Sequence, residues 1–112
     1  LEGEHQIDAV TAVSGSGPAY VFHLIEAMAA GGVAQGLAPD VAMKLARATV
    51  CGAGELAWRS PETASQLRIN VTSPGGTTAA ALSVLMDETT GFPPLLEKAI
   101  KAAADRGREL GK

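Results

Sequence analysis

Six prolines, Pro18, Pro39, Pro61, Pro74, Pro93 and Pro94, divide this chain into segments, and each stands near the start of an apolar or alanine-rich run. Proline fits the first turn of a helix, where its missing N–H has no intrahelical acceptor, and is excluded from the interior. Each proline therefore reads as a helix start. The first segment opens at Pro18 and runs through Tyr20, Phe22, Leu24, Ile25 and Met28 to about Gln35, apolar on nearly every side, with Gly36 as its C-terminal cap. Such a helix is central or faces another chain. Leu37-Ala38-Pro39-Asp40 starts a second helix through Leu45, Val50 and Leu56 to Trp58, in which Gly52 and Gly54 permit close backbone approach.

Ser60-Pro61-Glu62 offers an N-cap, a first-turn proline and a first-turn acid for a third, shorter helix to about Ile69. Thr77 to Met86 is the fourth. A fifth opens near Pro93 or Pro94, with Leu96, Ile100 and Ala103 on one stripe and Glu97 placed to pair with Lys101. Before Pro18, Ala9, Val10, Ala12 and Val13 form either a short helix capped by Asp8 or extended chain. No alternating run of strand length occurs, so the expected fold is all-α, a bundle of about five helices.

Apolar residues make up 46% of the chain but aromatics only 4%, while 21 positions are Ala and 13 are Gly. The core must then be built from small side chains packed closely. At 112 residues, positions 1–112 are expected to form one domain. A net charge of −3 without a basic stripe argues against a nucleic-acid partner. The longest apolar stretch, Ala19 to Val33, is short for a bilayer and interrupted by His23 and Glu26, so no membrane span is expected. A single cysteine, Cys51, rules out an intramolecular disulfide and a Cys-based metal cluster. It reads as a buried, inert thiol in a reducing, cytoplasmic setting. No metal-ligand constellation is visible, so no metal is expected. The chain opens at Leu1 and not at Met, which reads as a piece of a longer protein.

Two glycine-rich stretches carry the possible chemistry. Ser14-Gly15-Ser16-Gly17 delivers two hydroxyls and two glycines into the first long helix, where first-turn amides attract negative charge. The same residues also suit a plain capped turn. No strand precedes them and the GxGxxG spacing is absent, so they are not a dinucleotide fingerprint. Thr72-Ser73-Pro74-Gly75-Gly76-Thr77-Thr78 again empties into a helix. There the amides of Gly76, Thr77 and Thr78 are placed to converge on a carboxylate, with hydroxyls of Ser73, Thr77 and Thr78 beside them. A simple cap remains the equal alternative. His23 and Glu26 share a helical face as a polar pair, and His5 lies in the N-terminal stretch.

In this order and separation, the two stretches resemble the C-terminal domain of the pyrroline-5-carboxylate reductase family, which acts last in proline biosynthesis. The resemblance runs from Asp8-Ala9-Val10-Thr11-Ala12-Val13-Ser14-Gly15-Ser16-Gly17-Pro18-Ala19-Tyr20 to Arg108-Glu109-Leu110. It centres on Leu67, then Val71-Thr72-Ser73-Pro74-Gly75-Gly76-Thr77-Thr78, Ala81-Leu82 and Leu85. What it implies is a two-domain enzyme. An N-terminal Rossmann domain, outside this chain, binds NAD(P)H. The helical domain supplies substrate contacts and interlocks with a second copy as a homodimer, in some members as rings of dimers. The implied reaction reduces 1-pyrroline-5-carboxylate to L-proline.

Carried over by residue, the resemblance makes Ser73, Gly75, Gly76, Thr77, Thr78 and Val71 substrate-binding, with Pro74 also shaping the pocket. Thr78 sits beside the ring nitrogen as the catalytic position. Ser14, Gly15, Ser16 and Gly17 lie near the nicotinamide and substrate. The chain departs from the family between Met86 and Pro94, where its connection to the last helix is longer. Two other readings stand beside this one. One is the helical domain of another Rossmann-linked dehydrogenase, with Lys44 as its lysine catalyst; the other is a non-catalytic dimerisation module.

Overall fold

The computed structural model describes residues 3–111, leaving out the side chains of residues 4 and 5, so His5 lies outside what is described below. Six α-helices follow one another among the described residues: α1 (Glu4–Val10), α2 (Gly17–Ala34), α3 (Pro39–Arg59), α4 (Ala64–Asn70), α5 (Thr77–Leu85) and α6 (Phe92–Leu110). A π-helical turn, Thr11–Gly15, joins α1 to α2. No strand occurs among the described residues, and α2 to α6 are the five helices read from the prolines. Pro39 and the Pro93-Pro94 pair stand in the first turns of α3 and α6.

Two starts differ from expectation. At the N-terminus the chain is helical from Glu4, with Gly3 at the cap position, so Asp8 lies inside α1 and caps nothing. No Gly or Pro interrupts the stretch between Glu4 and Ser14. The third helix begins at Ala64, about one turn after Pro61. Ser60 Oγ accepts a bond from the Glu62 amide at 3.1 Å, but the helix is capped by Thr63, whose Oγ1 accepts from the Gln66 amide at 3.1 Å. Thr63-Ala64-Ser65-Gln66 has the spacing of a capping box, and that local hydrogen bond outweighs the proline's preference for a first turn.

The described residues divide into two compact units. The first is Pro18–Leu67, built on α2 and α3. Gly36 ends α2 in the left-handed region at φ 104°. Its amide donates to the Val33 carbonyl at 2.9 Å and the Leu37 amide to that of Gly32 at 3.1 Å, the paired bonds of a Schellman cap. The chain returns as α3 with Ala29, Ala42 and Ala46 buried and Ile25 and Met43 packed against them. Gly32 is needed for this approach: a Cβ there would sit 3.3 Å from the Ala42 Cβ and 3.2 Å from the Leu37 Cδ1. Gly52 and Gly54 are different, since a Cβ on either meets nothing within 4 Å. Among the described residues they bring no backbones together.

The second unit joins the described residues through Gly17 to those from Arg68 on. Here α1 and the π turn pack on α6, with Ala12 and Ala104 buried. A Cβ on Gly107 would lie 3.0 Å from Asp8 Oδ1, so glycine admits the acid against α6. The inward stripe of α6 runs through Ile100, Ala103, Ala104 and Gly107, while Leu96 is exposed. Lys101 pairs with Asp105 at 2.7 Å, and Arg108 reaches the same carboxylate at 2.9 Å, in place of the expected Glu97–Lys101 pair. Such exposed pairs add little stability.

Only alanines are buried among the apolar residues described; no large apolar side chain is. Phe22 is 64% exposed and Trp58 89%. Cys51, expected to be buried, is exposed as well. No described helix is long and apolar enough to cross a membrane.

The long connection from α5 to α6 is held by one side chain. Asp87 Oδ1 accepts from the amides of Thr89 at 2.8 Å and Thr90 at 2.9 Å and from the Thr90 hydroxyl at 3.2 Å. The loop then folds back so tightly that a Cβ on buried Gly91 would strike the Leu85 carbonyl oxygen and lie 2.6 Å from the Asp87 amide nitrogen. The Thr90 and Thr89 amides, then the Thr90 hydroxyl, hold the Asp87 carboxyl below its usual range. A depressed folded pKa gives stability that is complete above the unfolded value and is lost as pH falls through the folded one. Asp87→Ala should therefore lower Tm at neutral pH, with the gap from wild type closing under acid conditions. A gap independent of pH in thermal melts would contradict this.

Candidate functional site

The stretch Ser14–Gly17 is not a free loop. In the π turn the Ser16 amide donates to the Thr11 carbonyl at 2.8 Å, five residues back. The Ser14 hydroxyl donates to the Val10 carbonyl at 2.9 Å. A Cβ on Gly15 would lie 3.2 Å from Thr11 Cγ2, which favours glycine in the wound backbone. Of the donors expected here, the Ser16 amide and the Ser14 hydroxyl are thus used internally. The Ser16 hydroxyl has no hydrogen bond among the described residues, and a Cβ on Gly17 would meet nothing within 4 Å. A π turn is an uncommon insertion, found disproportionately where function needs a displaced backbone.

The second stretch is built in three steps. At the end of α4 the Val71 amide donates to the Arg68 carbonyl at 3.3 Å and the Thr72 amide to that of Ile69 at 3.0 Å. The Thr72 hydroxyl adds a 2.6 Å bond to the Arg68 carbonyl. Next, Ser73-Pro74-Gly75-Gly76 closes a turn through the Gly76 amide and the Ser73 carbonyl at 3.1 Å, with Gly75 at φ 72°. Proline at the second position and a left-handed glycine at the third make it a type II turn. Finally Gly76, extended at φ −89° and ψ −174°, serves as N-cap of α5, and its carbonyl accepts from the Ala80 amide at 3.1 Å.

This geometry moves the expected amide set along by one residue. The Gly76 amide is spent in the turn. The amides of Thr77, Thr78 and Ala79 have no acceptor among the described residues, and no side chain caps the helix. They point along the first turn of α5, at the positive end of its dipole. Sequence reasoning missed Ala79. The signal was present, because a Pro-Gly pair at the two central positions of a type II turn commits the next amide to closing it.

The hydroxyls of Ser73, Thr77 and Thr78 make no hydrogen bond among the described residues, whereas that of Thr72 does. Thr78 is half-buried, while Ser73, Thr77 and Val71 are exposed. No titratable side chain lies between Val71 and Ala79. The site offers neutral donors and a helix dipole, suited to a small carboxylate or similar anion. Both glycine-rich stretches belong to the same compact unit, and no hydrogen bond joins them among the described residues. Lys44 lies on α3, in the other compact unit, where it lines an open depression with Asp40, Met43 and Arg47. His23 Nδ1 and Glu26 Oε1 form the expected pair at 3.2 Å on α2, both exposed.

Residues 4–110 match the family described as pyrroline-5-carboxylate reductase dimerisation. The pyrroline-5-carboxylate reductase of Synechocystis sp. is 51% identical over 97% of this chain and 40% of its own length. That of Pisum sativum is 52% identical over 92% of this chain and 37% of its length. Among solved structures, a pyrroline-5-carboxylate reductase from Coxiella burnetii superposes with a TM-score of 0.91 at 41% identity, covering 100% of this chain and 41% of that one. The Plasmodium falciparum pyrroline carboxylate reductase, with NADP bound, gives a TM-score of 0.88 at 34% identity, covering 98% of this chain and 41% of that one. The chain thus spans about two fifths of the length of these relatives.

Proposed function

The chain belongs to the pyrroline-5-carboxylate reductase dimerisation family, and from that premise we propose that residues 1–112 are the helical dimerisation and substrate-binding domain of a reductase converting 1-pyrroline-5-carboxylate to L-proline with NAD(P)H. The observation that carries the substrate assignment is the set of open amides at Thr77, Thr78 and Ala79. A cyclic imine with a carboxylate beside its ring nitrogen needs an anion site and a neutral hydrogen-bond donor close together, and the start of α5 offers both.

In this reading the amides hold the carboxylate, and Ser73 and Thr77 lend hydroxyls around it. Gly75 and Gly76 keep the turn narrow enough for the substrate to approach the backbone. Val71 and Pro74 flank the ring. Fixing the carboxylate presents one imine face for attack, and orientation effects of this kind reach about 7 kcal/mol. The NAD(P)H domain lies outside this chain. When bound, the reduced nicotinamide supplies the hydride that the imine carbon accepts. On this chain Ser14, Gly15, Ser16 and Gly17 face it, through the open Ser16 hydroxyl and the space before Gly17.

Thr78 places its hydroxyl at the ring nitrogen. A threonine hydroxyl is a poor acid at neutral pH, so it orients the imine, and the proton comes from solvent or is already present on the iminium.

The exposed apolar residues of α2 and α3 support a homodimer. Phe22, Leu24 and Met28 on α2 and Leu45 and Leu56 on α3 are exposed in the single chain, and a second copy would bury them. Assembly of dimers into rings and a cytoplasmic location complete the reading.

Thr78→Ala in the full-length enzyme is expected to lower kcat/KM for the imine by about tenfold or more, the scale of a hydrogen bond to a charged partner. Unchanged steady-state kinetics would overturn the assignment. The chain alone should sediment as a dimer and reduce nothing, and a monomer would contradict the dimer.

A further inference from the structure

We propose that Thr72 is a positioning residue for the carboxylate site, acting through the Ser73–Gly76 turn and touching no substrate itself. The inference rests on the reading of the α5 start as that site. Of the four hydroxyls between Thr72 and Thr78, those of Ser73, Thr77 and Thr78 have no protein partner among the described residues. The Thr72 hydroxyl alone is committed, donating to the Arg68 carbonyl at 2.6 Å, and the residue is half-buried.

The placement of that bond gives it leverage. Arg68 lies in the last turn of α4, and its carbonyl accepts both the Val71 amide at 3.3 Å and the Thr72 hydroxyl. Thr72 is the last residue before the type II turn. Its amide is bonded to Ile69 and its hydroxyl to Arg68, so two bonds from one residue set the direction in which the chain leaves α4. Four residues later Gly76 must be extended, with its amide turned back to Ser73, for the Thr77, Thr78 and Ala79 amides to point together. Pro74 and the Gly76–Ser73 bond fix the turn internally, but neither ties it to the helix before it. The rigid reference is therefore the α4 end, and Thr72 is the residue that links it to the turn.

Thr72→Val keeps the shape and removes the hydroxyl. In the full-length enzyme it should raise KM for 1-pyrroline-5-carboxylate about fivefold, the scale of one neutral hydrogen bond, while kcat stays within about twofold. KM for the nicotinamide cofactor should not move. Amide hydrogen exchange of the peptide carrying Gly76 should speed up, and Thr72→Ser should restore both KM and exchange. Wild-type KM in the valine variant overturns the proposal, whether or not exchange changes. A kcat loss matching the KM change, or failure of serine to rescue, also overturns it, since general destabilisation would then explain the effect. If the wild-type enzyme binds no cyclic carboxylate while exchange still responds to Thr72→Val, the substrate reading fails and the positioning role falls with it, although the anchor itself stands.

Discussion

Packing through alanine and glycine brings helix backbones close but removes little apolar surface from water, and this trade governs the rest of the structure. The buried apolar residues among those described are Ala12, Ala29, Ala42, Ala46 and Ala104. Burying a side chain of leucine size is worth about 1.5–3 kcal/mol, and no described residue of that size is buried. Close approach gives each unit a defined geometry, as Gly32 shows against Ala42 and Gly107 against Asp8. Apolar area that would stabilise each unit is left exposed, on α2 and α3 and also on α6. A second copy is the natural cover for a family whose description is dimerisation.

The same economy marks the candidate site. It has no acid, base or metal ligand between Val71 and Ala79, only backbone amides, small hydroxyls and a helix end. Such a site orients and polarises. In the proposed reading bond-making belongs to the nicotinamide cofactor; the chain spans about two fifths of the length of its relatives. The rigidity it needs comes from local bonds, the type II turn and the Thr72 anchor, and so depends little on a large core.

Much of this was legible in the sequence, and the failures have physical causes. Pro39, Pro93 and Pro94 mark helix starts because proline's constraint is local and strong. Pro61 misleads because Thr63 and Gln66 form a better cap two residues on. The π turn was read as a loop from Ser-Gly chemistry; its five-residue bond from Ser16 to Thr11 sits where this segment packs on α6, which no local pattern reveals. The helix start alone suggests the Gly76 amide for the anion site, although the Pro-Gly turn commits it to the Ser73 carbonyl. Cys51, Gly52 and Gly54 were read as packed from their apolar neighbours. They are open in the single chain, since sequence apolarity reports burial without saying whether the covering surface belongs to the same molecule.

The most direct test of the carboxylate assignment is a titration of the full-length protein with proline, or with a stable cyclic carboxylate, followed by backbone amide NMR with the cofactor present. The assignment requires shifts centred on the amides of Thr77, Thr78 and Ala79, with Gly76 perturbed less because its amide is already bonded. Saturable binding with those three amides unmoved would contradict it.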